Sequence, residues 1–243
     1  MIRVTKMAAV AALALAATVA AAQGDGFTKK FPLASCQFIS IGGNRYFPLI
    51  PGRQLYYSNA ACVAAGKCDE LSELWITAER ETKRISLPIG GKTRTFYARV
   101  VEERETEDGE LVEISRNYFA NCWPSRDVYY FGEDVDIYAA GKIVSHEGAW
   151  QAGMNGARFG LMMPGSPVMG QRFYQEFAPR VAMDRAEVVA LSGNLKTPAG
   201  NFNQVLKIIE TNPLERGSEA KYYASGVGLL QDGSLKLVKY GKI

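Results

Sequence analysis

Residues 129–177 read YYFGEDVDIYAAGKIVSHEGAWQAGMNGARFGLMMPGSPVMGQRFYQEF. This stretch decides the fold class. It is rich in aromatic and apolar residues, yet Gly148, Gly153, Gly156, Gly160, Gly165 and Gly170 cut it repeatedly, as do Pro164 and Pro167. Glycine and proline in a helix interior cost about 1 and 3 kcal/mol relative to alanine, so no long helix runs here. The stretch reads as strand, hairpin turn at Ala140-Gly141, strand, then a long ordered loop rich in Gly and Met, with a strand resuming at Arg172. Long ordered loops on a rigid scaffold are where function concentrates.

The same pattern continues on both sides. Upstream, Gln54 to Ser58 reads as a strand, and Leu74, Ile76 and Ala78 alternate with Trp75 and Thr77. Gly90-Gly91 and Asp108-Gly109 are hairpin signals, with Phe96, Ala98 and Val100 sharing one face between them. The charged run around the second signal, Glu102 to Glu110, reads as a solvated hairpin tip. Downstream, Ala186 to Leu191, Phe202 to Thr211, Glu219 to Ala224, Gly228 to Leu230 and Ser234 to Tyr240 are strand candidates. Turns are expected at Ser192-Gly193-Asn194, Pro198-Ala199-Gly200, Asn212 to Gly217 and Asp232-Gly233. Roughly a dozen short strands without 3.6-residue periodicity indicate an all-β chain. The expected architecture is a single antiparallel β-barrel or half-open barrel, with a sandwich as the alternative.

Residues 1–22 have the form of a cleavable secretory signal. Arg3 and Lys6 precede an apolar, alanine-rich run, and Ala20 and Ala22 place small residues before Gln23. Residues 23–243 then form one β-rich domain, periplasmic or secreted, with no transmembrane segment in the mature chain. Leu33-Ala34-Ser35-Cys36 resembles a lipoprotein box, but it follows Lys29, Lys30 and Pro32 rather than the apolar run. Removing the signal lowers the formal net charge from +3 to +1, because Arg3 and Lys6 are its only charges. A near-neutral chain has no bulk electrostatic attraction to nucleic acid. Four cysteines in an exported chain suggest disulfides. Three pairings are open; the preferred one joins Cys62 to Cys68 and Cys36 to Cys122.

Catalytic and metal motifs are not seen. His146 is the only histidine, and the adjacent Ser145 would point to the opposite face of a strand. The C-x5-C spacing lacks a zinc pattern, and the acidic run lacks calcium-loop spacing. Met154, Met162, Met163 and Met169 lack the regular His/Met spacing of a Cu(I) site and read as packing residues. No cofactor is expected. Carboxylates that could serve glycosidic chemistry are Glu133, Asp134, Asp136, Glu176 and Asp184.

Several stretches together resemble a family of exported bacterial proteins of unknown function. They are Tyr46-Phe47-Pro48-Leu49 with Pro51-Gly52, Tyr129-Tyr130-Phe131-Gly132-Glu133, Gly148-Ala149-Trp150-Gln151-Ala152-Gly153, Met162-Met163-Pro164, Tyr174-Gln175-Glu176, and Lys221-Tyr222-Tyr223-Ala224 with Gly226-Val227-Gly228. The family has tryptophan where Tyr129 stands and an acid where Met183 stands. The resemblance implies export and a β-rich fold, and no activity. Thr197 to Lys207 and Gly226-Val227-Gly228 are also similar, more loosely, to envelope proteins with open-barrel folds.

The expected function is non-catalytic binding of an apolar or amphipathic small molecule or an envelope protein. Tyr129, Phe131, Trp150, Met162, Met163 and Tyr174 are the candidate ligand-binding residues. The alternatives are an enzyme acting on envelope carbohydrate and a structural partner-binding module. Convergent carboxylates in a pocket would favour the enzyme, an apolar pocket the binder, and a filled core with a flat exposed patch the module.

Overall fold

The computed structural model describes residues 25–243, so the expected signal at 1–22 lies outside the described residues. Among the described residues the regular secondary structure is nearly all strand. In order, the strands are β1 (Gln37–Ile39), β2 (Arg53–Ser58), β3 (Ser72–Ile89), β4 (Lys92–Glu107), β5 (Glu110–Trp123), β6 (Val128–Ala139), β7 (Lys142–Ser145) and β8 (Trp150–Gln151). They continue as β9 (Arg158–Met163), β10 (Arg172–Tyr174), β11 (Glu176–Phe177), β12 (Arg185–Thr197), β13 (Gly200–Thr211), β14 (Glu219–Ala224), β15 (Gly228–Asp232) and β16 (Leu235–Lys242). One short helix, α1 (Ala60–Ala64), lies between β2 and β3.

A single antiparallel sheet wraps around in the order β10-β12-β13-β14-β15-β16-β2-β3-β4-β5-β6-β9-β11. Its two terminal strands, β10 and β11, are neighbours in sequence, separated only by Gln175. The result is a barrel nearly closed, with one unsealed seam between them. The free edge of β10 is covered by the N-terminal segment: the Thr28 N–H donates to the Arg172 carbonyl at 3.0 Å, and the Tyr174 N–H to the Thr28 carbonyl at 3.0 Å. Covering an edge in this way removes a template for unwanted strand pairing. On the other side, the amides of Gln175 and Glu176 both donate to the Asp184 carbonyl, at 2.8 and 3.1 Å.

The hairpin turns fall where expected. Gly90 and Gly91 have φ of 63° and 77°, and Asp108 and Gly109 have 47° and 85°. Two consecutive positive φ values match the twist of the flanking strands. Three expectations change. Ser192-Gly193-Asn194 is not a turn; it lies within β12, whose pairing with β13 shifts register between Val188 and Asn194. The Gly/Met-rich stretch expected as a long loop contributes β8 and β9, both paired with β6. The charged run is not wholly a solvated tip, because β4 extends through it to Glu107 and turns part of it inward.

Both disulfides form, Cys36–Cys122 and Cys62–Cys68. The first anchors β1 on the end of β5. β3 bulges between Ala78 and Thr82, and the buried Arg99 guanidinium satisfies the freed carbonyls of Glu79, Arg80 and Glu81 at 3.1, 2.8 and 3.1 Å. An unsatisfied buried carbonyl would cost about 1–3 kcal/mol, so this clamp stabilises the bulge.

Strand alternation gives the wall two faces. On β6, Tyr129 and Phe131 meet Phe31, Phe38 and Phe159, with Phe38 carried by β1 and Phe31 by the segment before it. Tyr130 points the opposite way, into the barrel beside Asn117 and Phe119. A second apolar cluster of Tyr57, Leu74, Val205, Val227, Leu230 and Leu237 packs where β2, β13, β15 and β16 meet.

Candidate functional site

The barrel interior holds two adjoining cavities. Period two explains their lining. Val101, Glu103 and Glu105 share one face of β4, and their partners on β5 are Asn117, Ser115 and Glu113. On β14, Lys221 and Tyr223 share the inward face.

The first cavity, about 90 Å³, is mainly apolar and is lined by Phe47, Leu55, Tyr57, Ile76, Val101, Tyr223 and Val227 among others. The loop before β2 closes one side of it, bringing in Phe47 and Pro48. Asn44 holds that loop: its Nδ2 donates to the carbonyls of Arg126, Met163 and Pro164, each at 3.1 Å, while its Oδ1 accepts from the amides of Tyr46 and Phe47 at 3.0 and 2.9 Å. The Gly226 N–H donates to the Arg45 carbonyl at 2.7 Å, joining the loop to the β14–β15 turn.

The second cavity, about 160 Å³, is acidic. Glu103, Glu113, Glu133, Glu176, Asp184 and Glu210 line it, with Ser115, Asn117, Tyr130 and Gln175. Glu103, Met162 and Lys221 border both cavities and form their junction. Asp184 and Glu210 also line a surface cleft of about 330 Å³ beside residues 211–219, so the chamber and the surface share a wall there. The Lys221 ammonium lies 2.6 Å from Glu210 and 3.2 Å from Asp232. Burial works to lower its pKa, but those two carboxylates more than offset this and hold it well above the usual lysine value.

The carboxyls are partly buried and line the lumen. Burial raises the pKa of Glu103, Glu105, Glu113, Glu133, Glu176 and Asp184, and like-charge crowding adds to it for most of them. Glu103 is pushed to about 8, Glu105 to about 7 and Asp184 to about 6. Burial raises Glu176 well above 4.5, with Glu133 adding to it. Glu133 reaches about 7 through burial, although hydrogen bonds from Tyr130 and Trp150 oppose the rise. Glu105 and Glu113 stand directly opposite each other on β4 and β5, an arrangement that destabilises when both are charged.

The six residues expected from sequence divide between the wall's two faces and the seam. Tyr129 and Phe131 are buried in one aromatic cluster on the face away from the chamber, and Met163 is buried in the core and lines neither cavity. Met162 faces the lumen at the junction. Trp150 abuts the chamber: its Nε1 donates to Glu133 Oε1 at 3.1 Å, and its ring meets Tyr130 at 5.2 Å. Gly132 permits this. Its φ is +136°, and a Cβ there would lie 2.4 Å from the Trp150 carbonyl oxygen. Tyr174 lies at the seam, donating its hydroxyl to Asp25 at 2.6 Å. His146 is on the surface, 3.0 Å from Asp136, and lines neither cavity.

Sequence reasoning missed Glu103, Glu113, Glu210 and Lys221 as lumen residues. The available signal was the alternation Val101-Glu103-Glu105, which puts carboxyls on the same face as an apolar neighbour. The short stretches that carry the family resemblance converge here: Phe47, Tyr130, Glu133, Met162, Gln175, Glu176, Lys221 and Val227 all line the lumen. Among the described residues no three His, Cys, Asp or Glu converge to hold a metal ion, and no helix is long and apolar enough to cross a membrane.

An antiparallel barrel with a two-part lumen is the class that fold and site define. No family model and no curated protein matches the chain. Two solved structures are similar. One is a candidate exported protein with a YmcC-like fold from Bacteroides fragilis, 15% identical, covering 82% of this chain and 100% of that one, with a TM-score of 0.32. The other is a candidate lipoprotein from Parabacteroides distasonis, 11% identical, covering 82% and 99%, with a TM-score of 0.33. At those scores neither likeness carries an argument, and the barrel rests on the strand order itself.

Proposed function

We propose that this chain is an exported, non-catalytic barrel that binds a small amphipathic ligand in its lumen. The carrying observation is the junction at Glu103, Met162 and Lys221, three residues that line both an apolar pocket and the polar chamber beside it. A mostly apolar pocket with a few convergent polar groups is the usual form of a small-molecule site. Met162 lies on the ligand side of the wall and Trp150 holds Glu133 in place there, while Tyr129, Phe131, Met163 and Tyr174 support the wall from behind or at the seam. Export is supported by the two disulfides, which persist in oxidising compartments, and by the character of residues 1–22.

The converging carboxyls favour a second reading, an enzyme acting on envelope carbohydrate. Acid–base pairs work when their environments push the two pKa values apart. Here Glu103, Glu133, Glu176 and Asp184 are all pushed up together, so these four mark out no acid–base pair with diverging values.

The test combines native mass spectrometry of protein purified from its own envelope with calorimetric titration of octanol. A released small molecule or saturable octanol binding is expected, weakened in Met162→Ala and Trp150→Ala variants that keep the β-sheet circular dichroism spectrum. If both variants unfold, or wild-type protein binds no amphiphile, the reading fails.

A further inference from the structure

The chamber's charges are unbalanced. Among the described residues, Glu103, Glu113, Glu133, Glu176 and Asp184 form no ion pair, and Lys221, the one cation lining the chamber, is already engaged by Glu210 and Asp232. An independent feature points the same way. Gln175, at the seam, is 2% exposed and lines the chamber. Its Nε2 donates to the Met162 carbonyl at 3.4 Å, but its Oε1 accepts no hydrogen bond. A buried amide oxygen left without a donor can accept one from a partner. The site therefore presents carboxyls without a paired cation and a neutral acceptor without a donor.

We propose that the ligand's polar end is a primary ammonium: an alkylammonium whose chain occupies the pocket lined by Phe47, Leu55 and Val227 and whose head group enters the chamber between the carboxyls and Gln175 Oε1. This rests on the amphipathic-ligand reading and specifies its head group. A primary ammonium carries three N–H donors and no acceptor, which suits carboxyls without a paired cation and an acceptor without a donor. The chamber already holds such a group, since the Lys221 side chain is an alkylammonium whose nitrogen sits between two carboxylates. A carboxylate head would meet like charge. A quaternary ammonium would satisfy the charge but leave Gln175 Oε1 unpartnered. The carboxyls nearest neutrality are those whose protons a bound cation would displace, and the upward shifts at Glu103, Glu133 and Asp184 match that role.

The test is calorimetric titration of the full exported chain with octylamine, octanol, octanoate and octyltrimethylammonium. Octylamine is expected to bind at least about tenfold more tightly than octanol, the scale of a charge-assisted hydrogen bond, with octanoate weakest. Glu176→Gln combined with Glu133→Gln should bring octylamine down to the affinity of octanol. Gln175→Leu should abolish the preference for octylamine over octyltrimethylammonium while leaving octanol binding in place, which also shows that the variant is folded. Equal binding of octanol and octylamine, or tighter binding of octanoate, overturns the ammonium assignment and leaves the amphipathic reading standing. Binding of none of the four overturns both.

Discussion

Glu103→Gln isolates the energetic role of the chamber's charge. The substitution keeps the shape of the side chain at the junction of the two cavities and removes its ability to ionise. Burial is the main reason the Glu103 carboxyl lies at about 8 rather than 4.5, with Glu105 adding to the rise and Lys221 opposing it. A folded-state value above the unfolded one means that the fold retains a proton the unfolded chain has released. The resulting stability is fully present below about 4.5 and is lost as pH rises through about 8. At 1.36 kcal/mol per unit, that span corresponds to a ceiling of about 5 kcal/mol. Neighbouring carboxyls that take up protons together reduce it, so a difference of about 2–3 kcal/mol is expected. The variant should match wild type to within about 1 kcal/mol at about pH 5 and exceed it by about 2–3 kcal/mol at about pH 9. Urea unfolding followed by tryptophan fluorescence at the two pH values measures this directly. A difference that does not grow with pH, or a variant less stable than wild type at alkaline pH, would refute the assignment of Glu103 to a desolvated chamber crowded with carboxyls.

Other outcomes follow from the same geometry. Replacing Cys36 and Cys122 by serine opens a link between residues 86 apart and should cost about 4–5 kcal/mol, whereas the Cys62/Cys68 pair, 6 apart, should cost about 2 kcal/mol; thermal melts of the two double variants give the order. In Gly160→Ala the new Cβ would lie 2.0 Å from the Gln175 carbonyl oxygen, so β9 must withdraw from the seam. A loss of about 2–4 kcal/mol is expected, with faster hydrogen exchange at the Gln175 and Glu176 amides; unchanged exchange there would show that the seam does not depend on that contact. Octylamine binding should release protons and tighten as pH rises from about 6 to about 8, because the cation favours ionised Glu103, Glu133 and Asp184. Titrations in buffers of different ionisation enthalpy report the proton count, and proton uptake on binding would contradict the linkage.

Much of the fold could be read from local chemistry. Gly90-Gly91 and Asp108-Gly109 demand backbone conformations that few other residue pairs adopt, so their hairpins are visible in the chain itself. Alternating apolar residues define strands, and closely spaced cysteines define a staple. The aromatic residues of the central stretch could be named, but not which of them reach a cavity. Tyr129 and Phe131 face an aromatic cluster because β1 and the segment before it cover that side of β6, a contact between residues about ninety positions apart that no local pattern encodes.

Closure of the sheet decided the rest. Alternation specifies that Glu103 and Glu105 share a face, but β16 must pair with β2 before that face becomes the inside of a barrel. Until then the same carboxyls read as a solvated hairpin. The Ser192-Gly193-Asn194 stretch has the composition of a turn, yet pairing with β13 holds it in a strand and places the irregularity in the register instead. Strand and turn propensities act over a few residues and belong to the sequence. Whether a charge faces bulk water or the lumen of the barrel depends on strands far apart in the chain, and only the tertiary structure sets it.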